Sequence, residues 1–463
     1  MRLTIGAVLL LLSTGTAMAQ APLTPDQQLA RDLLKQLIEI NTTHVHGSTG
    51  PAADAMAARL REAGFPDSDV KVLGPSNSKN TNLVVRYRGS GQARPVLFLA
   101  HLDVVEALPE DWSVDPFALI EKDGFFYGRG TSDIKDGDAI LVAAFIRLKR
   151  AGFVPKRDLI VMLTAGEESS ADYVGVEWLL ANHRDLIDAP FAVNMDAGDP
   201  EIRDGRRVAR TVQAAEKVVA TYQLEVTNPG GHSSQPVRNN AIYHLAAALT
   251  RIGAYDFPAR TNEITRGFFK ALAGQSTGSL ATDLRLVSGR IPDSKAVARL
   301  SKDAFYNAQL RTTCVATMVD AGHAVNALPQ RARATINCRM LPGDSASTIQ
   351  ATLVRLVADS QVAVTLVNHP LPSPPSPLAP EILQPLQQVT TELWPGVPIV
   401  PEMETGATDG IFLRNLGVPV YGVSGVFLDV NDNRAHGRDE RIGVKEYYDG
   451  AEYIYRLIRA LAD

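Results

Sequence analysis

The chain has only two cysteines in 463 residues, Cys314 and Cys338, so at most one internal disulfide is open to it. It also lacks a basic excess: 46 lysines and arginines against 51 aspartates and glutamates give a formal charge of -5 and a pI near 6.0. That balance excludes the electrostatic footprint of a nucleic-acid or anionic-membrane partner, because no surplus cations are left to neutralise phosphates. Beyond the N-terminal segment no apolar run is long enough to span a bilayer, and no internal repeat is visible. What remains is 45% hydrophobic and 21% charged, the balance of a globular protein with a large core, and the length favours two domains.

The first residues stand apart. "MRLTIGAVLLLLSTGTAMA" has Arg2, an apolar stretch from Leu3 to Leu12 and a small-x-small end at Ala17-Met18-Ala19. It reads as a cleaved signal covering residues 1–19, leaving an exported protein, periplasmic or secreted, that begins near Gln20. The two cysteines lie in strand-like runs, "RTTCVATMV" and "RARATINCRM". If those runs pair about a loop near Val325 or Asn326, Cys314 and Cys338 face one another; a disulfide and two buried free thiols are both open readings.

Along the chain, "TPDQQLARDLLKQLIEI" predicts a helix with Thr24 and Gln27 as a capping box and Leu29, Leu33, Leu37 and Ile40 on one face. The apolar runs "PVLFLAH", "LIVMLTAGEE" and "PFAVNMDAGD" alternate with helical segments, the pattern of a mainly parallel sheet with helices on both faces, an α/β catalytic domain. From about Thr211 the grouping turns α+β, which places an inserted domain at residues 211–340 between catalytic halves at 20–210 and 341–463. The final helix, with Tyr447, Ala451, Ile454, Ile458 and Leu461 in a stripe, belongs to the second half.

In such a sheet, function gathers beyond the carboxyl ends of the strands. His101 and Asp103 follow "VLFLA", Glu167 and Glu168 follow "LIVMLTA", and Asp196 ends "FAVNM". Adjacent carboxylates are costly to shelter unless a positive charge is near. With Asp133 in "GRGTSDIKDGDA" and His436 in "NRAHGRDER", the set is two imidazoles and several carboxylates with no thiolate. That composition suits two divalent ions such as zinc, bridged by a carboxylate and a water.

"HLDVVEALPEDWSVDPF", "GRGTSDIKDG", "TAGEES", "NMDAG", "NPGGHSSQP", "NALP" with "INCRMLPG", "TGATDG" and "AHGRDER" resemble, in order, the successive signatures of the M20 family of metallopeptidases. The resemblance implies that His101 and Asp196 bind one metal ion, that Asp133 bridges both, and that Glu168 and His436 bind the other. The ions would be Zn²⁺, with Co²⁺ or Mn²⁺ as alternatives. Glu167 would be the general base, and Asp103 would accept the second ring N–H of His101 and fix its tautomer. Asn326 and Arg339 match positions that hold a substrate carboxylate, a task suited to a guanidinium fork. His232, on a glycine-rich turn, would donate a hydrogen bond to the developing oxyanion, reaching the partner's site if the inserted domains form a homodimer.

The other histidines, His44, His46, His183, His244, His323 and His369, have no carboxylate at a motif position and read as solvated or capping residues. Asp199 competes with Asp196 for the metal; Asp196 is preferred because it ends the strand. "TAGEESSADY" lacks the usual glycine after the paired glutamates, and Asp136 and Asp138 stand where small residues are common; both departures would alter loops without removing ligands. The expected activity is hydrolysis of a peptide bond beside a free C-terminal carboxylate, as in a carboxypeptidase or dipeptidase. An N-acyl amino acid hydrolase is the second reading, and a peptide-binding homologue without catalysis a third.

Overall fold

The computed structural model describes residues 22–169 and 172–463, so the leader read at 1–19 lies outside the described residues. None of the described helices is long and apolar enough to cross a membrane. The first helix, Pro25–Ile38, starts with the expected capping box: the Gln27 amide donates to Thr24 Oγ1 at 3.2 Å and the Thr24 amide to Gln27 Oε1 at 2.9 Å. Its Leu33, Leu34 and Leu37 are buried, so the periodicity of the sequence becomes a packing face.

The apolar runs assemble a ten-stranded sheet. In spatial order its strands are Val70–Leu73, Asn82–Tyr87, Arg157–Thr164, Ala93–His101, Ala192–Asn194, Val420–Gly422, Arg206–Glu216, Glu201–Arg203 and Leu428–Asp429, with Ile399–Glu404 also paired to Arg206–Glu216. Ala93–His101 lies between Arg157–Thr164 and Ala192–Asn194, parallel to both, so three carboxyl ends open at one edge. The helices Pro25–Ile38, Lys135–Arg150 and Val444–Ala462 share one hydrophobic cluster, while Gly175–Asn182 and Gly410–Asn415 belong to a separate cluster on the other face. In the last helix Tyr447, Ile454, Ile458 and Leu461 are buried, with Ala451 packed beside them. The α/β catalytic sheet with helices on both faces is thus present.

A second, antiparallel sheet has the order Thr313–Ala321, Arg331–Met340, Val218–Thr227, Val362–Leu366, covered by the helices Ala241–Gly253 and Ala346–Val357. Its limits differ from the expected 211–340. Thr211 sits inside Arg206–Glu216, a strand of the catalytic sheet, and the small sheet begins only at Val218. Past Met340 the chain does not return at once: Ile349, Leu353 and Val357 bury against the small sheet, and Val362–Leu366 pairs with Val218–Thr227. A half-buried strand needs a partner edge, and the free edge of Val218–Thr227 supplies it.

A further difference concerns the helices Glu263–Gln275, Gly278–Val287, Ser294–Leu300 and Ala304–Leu310. They were expected in the inserted domain, yet Phe268, Phe269 and Leu284 form a cluster with Ala209 and Val400 of the catalytic sheet. Amphipathic helices are indifferent to which apolar surface covers them, so the sequence order did not reveal their host. Cys314 and Cys338 stand opposite each other in register and are joined as a disulfide, which settles the question of free thiols.

Candidate metal centre

The site is built at the edge where the three parallel strands end. His101 is the last residue of its strand and is buried. Its Nδ1 lies 2.9 Å from the backbone carbonyl of Asp103. A carbonyl only accepts, so Nδ1 carries the proton and Nε2 presents its lone pair to the site. This corrects the expected role of the Asp103 side chain: the main-chain oxygen fixes the tautomer. The Asp103 carboxylate instead accepts from the amides of Gly166 at 2.8 Å, Glu167 at 3.3 Å and Glu168 at 3.0 Å. It therefore pins the turn that carries the paired glutamates.

That turn depends on Gly166, whose φ of +82 is open to glycine and where a Cβ would stand 2.0 Å from the Tyr173 carbonyl. Asp196 is aimed by a similar local device, its amide donating to Asn194 Oδ1 at 3.1 Å.

His101 Nε2 faces Asp133 Oδ1 at 3.3 Å, Asp196 Oδ1 at 3.6 Å and Glu167 Oε2 at 4.0 Å. The other oxygen of Asp133 lies 3.0 Å from His436 Nε2, which also stands 3.0 Å from Glu168 Oε1. Asp133 is thus shared between two groups of ligand atoms. Yet His101 Nε2 is buried without a hydrogen-bond partner. A lone pair ringed by carboxylate oxygens is a repulsive arrangement that a cation resolves, so the donor set fits a metal. Two close-set groups have this character, His101 with Glu167 and Asp196, and His101 with Asp133 and Glu168.

The electrostatics report the same crowding. Burial, then Asp196, pushes the Glu167 carboxyl well above its ordinary value against the pull of His101. Burial raises Asp196 to about 7, helped by Asp133 and Glu168 and opposed by His101. Burial lowers the His101 imidazole, but the Asp196, Asp133 and Glu167 carboxylates outweigh it and hold the ring well above the usual histidine range, so without a metal ion a proton takes the Nε2 position that a metal would occupy. Asp133 and Glu168 raise His436 to about 10.

Two supporting residues escaped sequence reasoning. Glu440, fully buried, accepts from Arg129 Nη1 at 2.6 Å and from the amides of Gly130 at 3.1 Å, Ser132 at 2.8 Å and Asp133 at 3.2 Å, which anchors the loop presenting Asp133. Asp409 accepts from Thr164 Oγ1 at 2.6 Å beneath the glutamate turn, and burial raises its carboxyl to about 6. Both stand in quoted motifs, "AHGRDER" and "TGATDG", and that position was the available signal. Asp136 and Asp138 are buried in the first turn of the helix Lys135–Arg150, where burial pushes both carboxyls well up.

The remaining expected residues lie elsewhere. His232 and Asn326 are brought together on the small unit, where the Ser233 amide donates to the Asn326 carbonyl at 3.0 Å and His232 pairs in register with Ala327. Asn326 sits in the turn before that bridge and not on a strand. Arg339, half-buried on Arg331–Met340, is lowered from its ordinary value by desolvation, with the charge of Glu404 acting in the other direction. Among the other histidines, His46 and His244 do have carboxylate partners, Glu106 at 3.0 Å and Asp359 at 2.5 Å, both away from the cluster.

Asp103→Asn keeps one acceptor oxygen and loses the charge that three amides share. It is expected to weaken metal affinity about 10–100-fold, measured by competition with a chelator, with a smaller loss of thermal stability.

A parallel-sheet hydrolase with a carboxylate-imidazole cluster at its strand ends is the class these features define. Residues 97–460 match peptidase family M20/M25/M40, and the chain belongs to that family. Among relatives it is 30% identical over 387 residues to the human N-fatty-acyl-amino acid synthase/hydrolase PM20D1, covering 79% of this chain and 74% of that protein. It is 28% identical over 393 residues to a probable carboxypeptidase S-like 2 of Dictyostelium discoideum, covering 82% and 74%. The M20 family metallo-carboxypeptidase Sso-CP2 from Sulfolobus solfataricus shares the fold with a TM-score of 0.70, at 15% identity and coverage of 94% of this chain and 99% of that one.

Proposed function

We propose that this member of the family is a metal-dependent exopeptidase that cleaves the peptide bond next to a free C-terminal carboxylate. The observation that supports it most is Asp133, one oxygen turned to His101 and the other to His436, with Asp196 and Glu168 completing the two sides. On this reading His101, Asp196 and Asp133 hold one divalent ion, and Asp133, Glu168 and His436 the other. Nitrogen and oxygen donors without thiolate suit zinc, and cobalt or manganese fit the same set. Two such ions, when bound, would acidify a water and stabilise negative charge on the scissile carbonyl.

The chain's own residues do the rest. Glu167 takes a proton from the attacking water as its oxygen bonds to the amide carbon, then delivers that proton to the leaving nitrogen as the carbon–nitrogen bond breaks. Asp103 holds Glu167 in place through its backbone amide, and the Asp103 carbonyl keeps His101 in the tautomer a ligand needs. Arg339 receives the substrate carboxylate, with Asn326 assisting.

A second copy of the chain would pair along Thr313–Ala321, an edge strand that exposes Val315, Met318 and Val319. The disulfide supports the exported, periplasmic or secreted location read from residues 1–19. The second reading, an N-acyl amino acid hydrolase, draws on the activity named for the human relative.

The deciding experiment incubates zinc-loaded protein with dipeptides, C-terminally amidated dipeptides and N-acyl amino acids. Release of the C-terminal amino acid from free dipeptides supports the proposal; cleavage of N-acyl amino acids alone moves the assignment to the second reading. In the same assay, Arg339→Ala is expected to raise KM for free-carboxylate substrates about 10–100-fold and to leave amidated ones almost unaffected. Equal effects on both would take Arg339 out of the site.

A further inference from the structure

Beside the metal cluster the helices Glu263–Gln275 and Ala304–Leu310 meet the strand Ile399–Glu404 and help enclose a cavity of about 510 Å³. Two of its lining residues are close along the chain to proposed ligands. Asp199 follows Asp196 by three residues, and Asn433 precedes His436 by three. Burial, then the charges of Glu404 and Asp133, raise the Asp199 carboxyl to about 6, against a hydrogen bond from Ser424. The turn into it needs glycine: Gly198 has φ +72, and a Cβ on it would stand 2.1 Å from the Gly422 carbonyl.

The lining is chemically mixed. Glu402, Glu404, Glu201 and Asp199 supply carboxyls to it. Burial, and then the charges of Glu404, Glu201 and Asp199, drive the Glu402 carboxyl well above its usual range, with Thr211 acting in the other direction, so Glu402 keeps its proton until a cation beside it favours the carboxylate. Glu201 is paired with Arg203 at 3.0 Å, and Glu404 accepts from the Thr405 and Gly406 amides at 2.7 and 3.0 Å. Among the described residues Glu402 has no salt-bridge partner. The same lining holds an aromatic cluster: Phe305 stands edge-on to Phe268 at 5.8 Å and to Tyr306 at 5.7 Å.

We propose that this cavity receives the side chain on the acyl side of the scissile bond and selects a long cationic one, lysine or arginine. The aromatic cluster covers the apolar stem and Glu402 meets the charge. A saturated acyl chain in the same space would strip water from carboxylates and return nothing to them, which disfavours fatty-acyl substrates. The inference rests on the amide-hydrolase reading above and names the substrate class for that site.

The test uses the metal-loaded full chain with Lys-Ala, norleucine-Ala and N-lauroyl-alanine, for the wild type and Glu402→Gln. Lys-Ala is expected to exceed norleucine-Ala in kcat/KM by about tenfold or more, and Glu402→Gln to remove most of that ratio. A wild-type ratio near one, a preference for the lauroyl substrate, or a ratio unchanged in Glu402→Gln overturns the proposal. Should none of the three substrates be cleaved, the hydrolase reading fails, and titration calorimetry with n-pentylamine and 1-pentanol decides the cavity separately. Tighter binding of the amine, lost in Glu402→Gln, upholds it; equal binding of the two probes overturns it.

Discussion

Glu167→Gln is expected to lower kcat about a thousandfold while both metal equivalents stay bound. Glutamine has the shape of glutamate but does not take the water proton, so the step in which Glu167 acts as base and then as acid is removed. The ligand set proposed for the metals excludes Glu167, whose oxygen stands 4.0 Å from His101 Nε2, whereas Glu168 lies 3.0 Å from His436. Metal analysis of the purified variant, run beside its turnover of a dipeptide, separates the two roles. Loss of one metal equivalent in Glu167→Gln, with retention in Glu168→Gln, would reverse the assignment of the pair. Full turnover in Glu167→Gln would remove it from the chemistry altogether.

The edge where the carboxylates and imidazoles gather was legible in the sequence because its geometry is local. A buried parallel strand is a continuous apolar run, and a polar residue directly after it must emerge where the other strands end; His101 and Asp196 were found in that way. The glutamate turn was legible for the same reason. What the sequence hid depends on contacts between distant segments. Glu440 binds amides more than 300 positions earlier, and although it stands in the motif "AHGRDER", its neighbours there do not reveal that partner. The role of Asp103 was misread because its backbone and side chain both reach the site, and only the turn at Gly166 decides which one meets His101. The domain limits were misplaced because alternation marks a strand without naming its sheet: Arg206–Glu216 and Val218–Thr227 are consecutive, and the chain changes sheets at Lys217. The helices that line the cavity carried no host signal either, and they pack on the catalytic sheet.

His232 gives the prediction that joins the small unit to the reaction. Its Nδ1 accepts from the Ser234 amide at 3.1 Å, so the proton of the neutral ring sits on Nε2 and faces outward from an exposed side chain. That is a donor prepared for an oxygen that is not its own neighbour. Among the described residues its hydrogen bonds stay within the turn, so it has to meet substrate either by closure of its own chain or from a partner. His232→Ala is therefore expected to keep the fold and both metals while losing about 10²–10³ in kcat, the usual effect of deleting one oxyanion donor. Mixing this variant with Glu167→Gln distinguishes the two routes. In a dimer whose turns cross over, the subunit that retains Glu167 receives His232 from the other subunit, which completes one site in each mixed dimer. Random assortment makes half of the dimers mixed, and each has one complete site of two, so about a quarter of wild-type activity is expected from two inactive parents. Differently tagged subunits, co-purified to show that mixed dimers form, make a negative result informative: activity still absent there would sink the crossed arrangement and leave closure of the small unit over its own metal centre.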